Sequence, residues 1–166
     1  GKKILSGYVN LQAAKKAEII ILTIPFSNHD GIIEEIREEV QGKIVVDTTV
    51  PLIPPKVSRV QLPLGGSIAK LAQEKLGQNV RLVSAFQNVA ATSLESEDNV
   101  KGEVLVCGNN VEARSEVISL IESIGLKGWH AGPIDNSVVT ESLTPVLIFL
   151  NKRYKLSGSG ISIVEH

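Results

Sequence analysis

Ala17-Glu-Ile-Ile-Ile-Leu-Thr-Ile-Pro25 carries six apolar residues in nine positions, without the alternation of a half-solvated strand. Such a run predicts a strand buried on both faces, as in a parallel sheet. It stops at Pro25, whose ring nitrogen cannot donate to a ladder. In open parallel α/β sheets, ligands sit beyond the carboxyl ends of the strands. That makes Thr23-Ile-Pro-Phe-Ser-Asn-His29 the first candidate site.

Outward from this run the same arrangement recurs. Asn10 is a suitable cap for a short helix over 11–17 that leads into the strand. After the strand, Asn28 or Asp30 can cap a helix to about residue 40, with Ile32, Ile33, Ile36 and Val40 on one face and the glutamates on the other. Lys43-Ile-Val-Val-Asp47 reads as a second buried strand. Strand, helix and strand form a βαβ unit, so the fold class is α/β.

Further along, residues 51–66 hold four prolines and a glycine pair, too many for regular structure, and loops of this length are commonly functional. Ser67 caps a helix to residue 76, closed by Gly77. Strands are expected over 79–86 and 103–107, and an edge strand over 126–130. A helical turn is expected over 90–94 and an amphipathic helix over 111–124. Asp135 or Asn136 caps a last helix over 137–154, which Pro145 should kink or split. Ala131-Gly-Pro133 divides a sheet-forming part, 1–130, from a helical segment, 131–166.

Composition excludes several functions. With 17 basic and 18 acidic residues the net charge is −1, and aromatics are few, so a nucleic-acid partner is not expected. No apolar run reaches membrane-spanning length and no secretion-type leader is visible, which places the expected location in the cytoplasm. The single cysteine, Cys107, supports neither an internal disulfide nor a metal cluster and reads as a core residue. No HExxH, nucleophile elbow or Walker loop occurs, and no two histidines stand at ligand spacing. No metal site is expected.

Individual residues keep two readings each. His29 is either a surface residue at a helix start or a ligand contact beyond the first strand. Asp47 can accept from a ribose hydroxyl or from neighbouring backbone N–H groups, the second being the commoner arrangement. Gly65-Gly66-Ser67 can cradle a phosphate on a helix N-terminus or simply make a turn. Trp129 and His130 read as packing at a sheet edge, and Glu141 either pairs or is solvated. The strand ends at Thr23, Thr48 and Phe86 should open onto one edge that offers no obvious acid, base or metal. Holding two planar cofactors face to face requires apolar walls and backbone donors rather than a general base, and hydride transfer is such a reaction.

Leu22-Thr-Ile-Pro-Phe-Ser-Asn-His29, Lys43-Ile-Val-Val-Asp-Thr-Thr-Val-Pro-Leu52, Val83-Ser-Ala-Phe-Gln-Asn-Val89, Val104-Leu-Val-Cys-Gly108 and Ala131-Gly-Pro-Ile-Asp-Asn136 follow one another as in NADPH-dependent F420 reductases. Glu141-Ser-Leu-Thr-Pro145 and Leu150-Asn-Lys-Arg-Tyr-Lys155 also resemble that family. The resemblance spans nearly the whole chain and implies a Rossmann-like, doubly wound, mostly parallel sheet with a small C-terminal helical part. It implies that 1–130 is an NAD(P)-binding domain, and that the activity is hydride transfer between NADP(H) and the deazaflavin coenzyme F420.

By the same resemblance, Ile24, His29 and Val50 are expected to contact NADP. Val89 and Ala91 would line the place where the nicotinamide and deazaflavin rings meet, and Ser159 would reach back from the tail. No catalytic side chain is assigned. The small-molecule cofactors are the expected partners, with a homo-oligomer possible.

Two departures stand out. The family's Gly-rich βαβ unit and the basic residues for the 2′-phosphate are not in this chain, which is therefore expected to be N-terminally truncated. Gln87 stands where some relatives have His, keeping hydrogen bonding without titration. The alternatives are a Rossmann dehydrogenase of the pyrroline-carboxylate or 6-phosphogluconate type, which should show an acid or base in the cleft, and an inactive remnant that only binds.

Overall fold

The computed structural model describes residues 6–91, 94 and 102–165. Helix α1 (Asn10–Lys16) leads into strand β1 (Ile19–Leu22), and helix α2 (Phe26–Ile36) carries the chain to strand β2 (Ile44–Asp47). Helix α3 (Ile68–Leu76) connects β2 to strand β3 (Arg81–Ser84). Strand β4 (Glu103–Gly108), helix α4 (Val111–Ser123), strand β5 (Lys127–His130) and helix α5 (Ser137–Tyr154) follow. The sheet order is β1-β2-β3-β4-β5. The first three strands are parallel, β4 runs antiparallel to β3, and β5 is again parallel to β4.

The continuous apolar runs are explained by helices on both faces. Val45 and Leu82 belong to a core with Ile33 and Ile36 of α2 and Ala72 and Leu76 of α3. Their neighbours Ile44, Val46 and Val83 point the other way, into a core with Val117 and Ile121 of α4. The side-chain period of a strand is two, so each apolar run must serve both layers. The α/β, doubly wound architecture expected from the sequence is the one observed.

Local chemistry fixes several boundaries. Ser67 Oγ accepts from the Lys70 N–H at 3.1 Å, and Asn110 Oδ1 accepts from the Ala113 N–H at 2.7 Å, so each helix start has a side-chain cap. Lys43 Nζ donates to the carbonyls of Ala14 and Lys15 and closes the carboxyl end of α1.

Several expectations are corrected. Asn10 is the first residue of α1 and does not cap it, and the start of α5 at Asn136 has no side-chain capping bond. Helix α2 begins at Phe26, directly after Pro25, and neither Asn28 nor Asp30 caps it. Proline is suited to a helix start, and here its fixed φ sets the entry. Strand β1 lies at a sheet edge and is only partly buried: Ile20 packs on one core and Ile19 on the other, both half-buried, and Ile21 is 44% exposed. Of the two outcomes expected at Pro145, the split does not occur: α5 runs unbroken for 18 residues around a buried proline ring. Residues 92 and 93 of the turn expected at 90–94 lie outside the described residues, while Ala91 and Leu94 are helical. Among the described residues, no helix is long and apolar enough to cross a membrane.

The tightest approach in the sheet is at Gly108, where a Cβ would stand 2.8 Å from the Leu82 carbonyl oxygen on β3. Backbone cannot give way as a flexible side chain does. Gly108→Ala is therefore expected to lower the unfolding free energy by about 1–3 kcal/mol in urea denaturation, whereas an unchanged midpoint would contradict this packing.

Candidate functional site

The carboxyl ends of β1, β2 and β3 open together onto a cleft of about 520 Å³. Its polar contributors are Thr23, Thr48 and Gln87, one after each of the three strands. Its apolar walls come from Ile21, Phe86, Val89, Ala91 and Leu94 together with Leu120 and Ile124, at the end of α4. This surface suits a flat, largely apolar group with a few polar atoms at its rim. Thr48 Oγ1 donates to the Leu22 carbonyl at 2.8 Å, so the ends of β1 and β2 are held in register at the mouth.

Behind the cleft lies a buried polar layer. Asp47, at the end of β2, is 1% exposed; its Oδ1 accepts from the Thr49 N–H at 3.0 Å and its Oδ2 pairs with His29 Nε2 at 2.7 Å. Gln87 Nε2 donates to the Asp47 carbonyl at 2.8 Å and to Ser84 Oγ at 2.9 Å, which ties β3's exit loop to β2. The Thr144 hydroxyl of α5 donates to the Gln87 carbonyl. Also from α5, the Glu141 carboxylate accepts from the N–H groups of Ile68 and Ala69 at 2.8 and 3.0 Å, filling the N-terminus of α3. Ser137 Oγ meets Ser67 Oγ at 2.7 Å beside it.

This layer is titratable. Burial pushes Glu141 up to about 7, against the two backbone donors, which favour the charged form; Asp47 adds to the rise and His29 opposes it. For His29, burial alone would lower the pKa. The hydrogen bond and charge of Asp47, helped by Asp30, outweigh it and leave the imidazole above its ordinary 6.5.

The residues named from sequence divide accordingly. Val89 and Ala91 line the cleft with Thr23, Thr48 and Phe86. Ile24 faces an adjoining hollow of about 310 Å³ between α1, β1 and α2. Val50 is half-buried in the loop after β2. His29 does not line the cleft: it is 2% exposed and engaged by Asp47, because a carboxylate buried at a strand end needs a donor there. Asp47 serves backbone N–H and imidazole, the commoner of its two readings. Ser159 sits behind Val89, in a small cavity with Asn88 and Ala90, and its hydroxyl reaches the Leu147 carbonyl at 3.5 Å.

Glu141 pairs rather than being solvated; Gln87 keeps the hydrogen bonding expected of it, while the roles of Ser137 and Thr144 went unnoticed in the sequence. A signal existed: Ser137, Glu141 and Thr144 stand at i, i+4 and i+7, one face of a helix. Among the described residues, no group of three or more His, Cys, Asp or Glu could hold a metal ion.

A family model described as "NADP oxidoreductase coenzyme F420-dependent" matches residues 4–51. The F420-dependent NADP reductase of Methanocaldococcus jannaschii is 41% identical over 164 residues, covering 96% of this chain and 73% of that protein. The protein of the same name from Methanothermobacter thermautotrophicus is 30% identical, covering 97% and 72% respectively. A solved chain from Arthrobacter sp. FB24, described as a candidate F420-dependent NADP reductase, superposes with a TM-score of 0.84 at 21% identity over 95% of this chain and 74% of its own. The pyrroline carboxylate reductase of Plasmodium falciparum, solved with NADP bound, superposes at 0.53 with 16% identity over 75% of this chain and 41% of its own. At such identities the two structures speak for the fold alone.

The two raised pKa values make stability fall as pH rises. Between 4.5 and about 7 the folded state keeps a proton on Glu141 that the unfolded chain releases, so unfolding becomes easier across that window. The His29 contribution is whole below 6.5 and is lost as pH climbs through its raised folded value. Urea titrations at stepped pH should show this decline, and Glu141→Gln should flatten the part below 7 while leaving the part above it. Equal slopes in both proteins would show that Glu141 does not titrate in this way.

Proposed function

The chain belongs to the F420-dependent NADP reductase family, an oxidoreductase family of NADP(H) and coenzyme F420, and we propose that its three-strand cleft is where a hydride passes between the two cofactors. The single observation that carries this reading is the lining of the cleft. Among the described residues, its apolar walls and three neutral polar side chains offer no acid or base. When both cofactors are bound, they supply the hydride donor and acceptor carbons themselves, with one proton exchanged with solvent in the F420-reducing direction.

The chain's own residues then bind, orient and exclude water. Phe86, Val89 and Ala91, with Leu120 and Ile124, form an apolar lining against which a planar ring can rest. Thr23, Thr48 and Gln87 are placed to orient polar edges. Ile24 and Val50, on the loops after β1 and β2, extend the same edge toward the rest of NADP. We assign His29 to holding Asp47, whose other oxygen accepts from the Thr49 N–H, so that its effect on binding is indirect. Ser159 supports the Val89 wall from behind. The segment 131–166 acts as a brace on the cleft through α5, and a homo-oligomer is a further part of the proposal.

A dehydrogenase of the pyrroline-carboxylate type would need a proton donor beside its substrate. Among the described residues, the buried titratable groups His29, Asp47 and Glu141 lie in the layer behind the cleft, bonded to one another or to backbone.

The test is to mix this chain with NADPH and oxidised F420 and follow the deazaflavin absorbance. Catalysed bleaching is expected, and Ala91→Trp, which fills the cleft, should reduce kcat/KM by at least about tenfold, a loss of roughly 1.4 kcal/mol of transition-state binding. Failure of both cofactors to bind or react would overturn the assignment for this molecule.

A further inference from the structure

Among the described residues, Phe86 and Lys155 are the only non-glycine positions with positive φ. Lys155 closes the carboxyl end of α5, where a left-handed residue is usual. Phe86, at φ 72°, has no such excuse. A bulky side chain there is a true outlier, which persists only where the surroundings over-determine it. It lies where β3 enters the cleft, and its side chain forms part of the wall.

Its restraints come from two directions. From within the sheet, the Gln87 amide grips the Asp47 carbonyl and Ser84 Oγ, and the Val89 N–H donates back to the Phe86 carbonyl at 3.0 Å. From outside the sheet, Thr144 donates its hydroxyl to the Gln87 carbonyl, fixing the Gln87–Asn88 peptide, one residue beyond the strained one. Thr144 shares a helix face with Ser137 and Glu141, which anchor α5 to Ser67 and to the first N–H groups of α3. The hydroxyl is therefore delivered by a helix that is itself held in place.

We propose that Thr144 is a positioning residue of the cleft: through the Gln87 carbonyl it holds Phe86 in its left-handed conformation and so sets the wall formed by Phe86, Val89 and Ala91. The proposal rests on the functional reading above. Transfer between two stacked rings tolerates little displacement, and an error near 1 Å at a supporting wall can cost orders of magnitude. Without the hydroxyl, Phe86 relaxes toward negative φ and the wall turns with it.

The test compares Thr144→Val, close in shape but without the donor, with Thr144→Ser, which keeps it. With NADPH and F420, Thr144→Val is expected to lower kcat roughly tenfold, the scale of one lost hydrogen bond, with the KM for NADPH little changed and Thr144→Ser close to the parent. A residue that only stabilised the fold would shift the melting temperature without that split. Parent-like constants in Thr144→Val, or equal losses in Val and Ser, would overturn the proposal.

A second readout needs no turnover. Amide hydrogen exchange at Val89, whose N–H is bonded to Phe86, should quicken in Thr144→Val and not in Thr144→Ser. Faster exchange in a chain that never reacts with the cofactors would sink the functional reading alone. Unchanged exchange in Thr144→Val would sink the positioning role, whatever the activity.

Discussion

A carboxylate at the end of the second strand governs this end of the molecule. Asp47 is almost wholly out of water, and a charge in that position is tolerable only if each oxygen has a donor. The imidazole of His29 and the N–H of Thr49 meet that demand. His29 comes from α2, so the pair fixes how the first crossover helix sits against the strand it precedes. The Asp47 main-chain carbonyl in turn holds the Gln87 amide, and the exit of β3 is locked to the exit of β2. Three strand ends thus share one geometry because one buried charge requires its neighbours.

The carboxyl-terminal helix is joined to this layer by polar contacts as well as by area. Glu141 fills the N-terminus of α3, where free N–H groups and the helix dipole favour an anion. Burial works against the charge and brings the group to about 7. The carboxylate is therefore balanced: ionised it satisfies α3, protonated it avoids repulsion with Asp47. Such contacts add less to net stability than apolar packing would, but they are directional. A direction is what a helix bracing a cleft must have.

The fold was largely legible because it is written in repeated, local signals. Ile44 to Val46 alternates between two cores, so its sequence reads as unbroken apolarity, and Ser67 and Gly77 bracket α3 as cap and terminator. The misreadings have physical causes. Asn28 and Asp30 are good caps, but Pro25 had already set the helix entry. Pro145 breaks one hydrogen bond, yet packing around its buried ring keeps the helix whole. The cleft was legible as strand ends, at Thr23, Thr48 and Phe86. The layer behind it was much less so, because Gln87 and Thr144 are 57 residues apart and no local pattern announces a contact at that separation. His29 looked like a surface contact since its partner, Asp47, lies on another strand end.

Placing the titratable groups one layer behind an apolar wall has a consequence for the chemistry. A charged side chain on the wall would hold water and favour one charge state of a ring resting there. Here the carboxylate of Asp47 is matched by an imidazole whose charged form that carboxylate favours, and Glu141 is held toward its neutral form below about pH 7. The layer can thus supply rigid hydrogen-bonded support while presenting little net charge to the cleft. A transfer in which both reacting centres belong to bound cofactors needs such a wall: fixed in position, dry, and without a proton of its own to give.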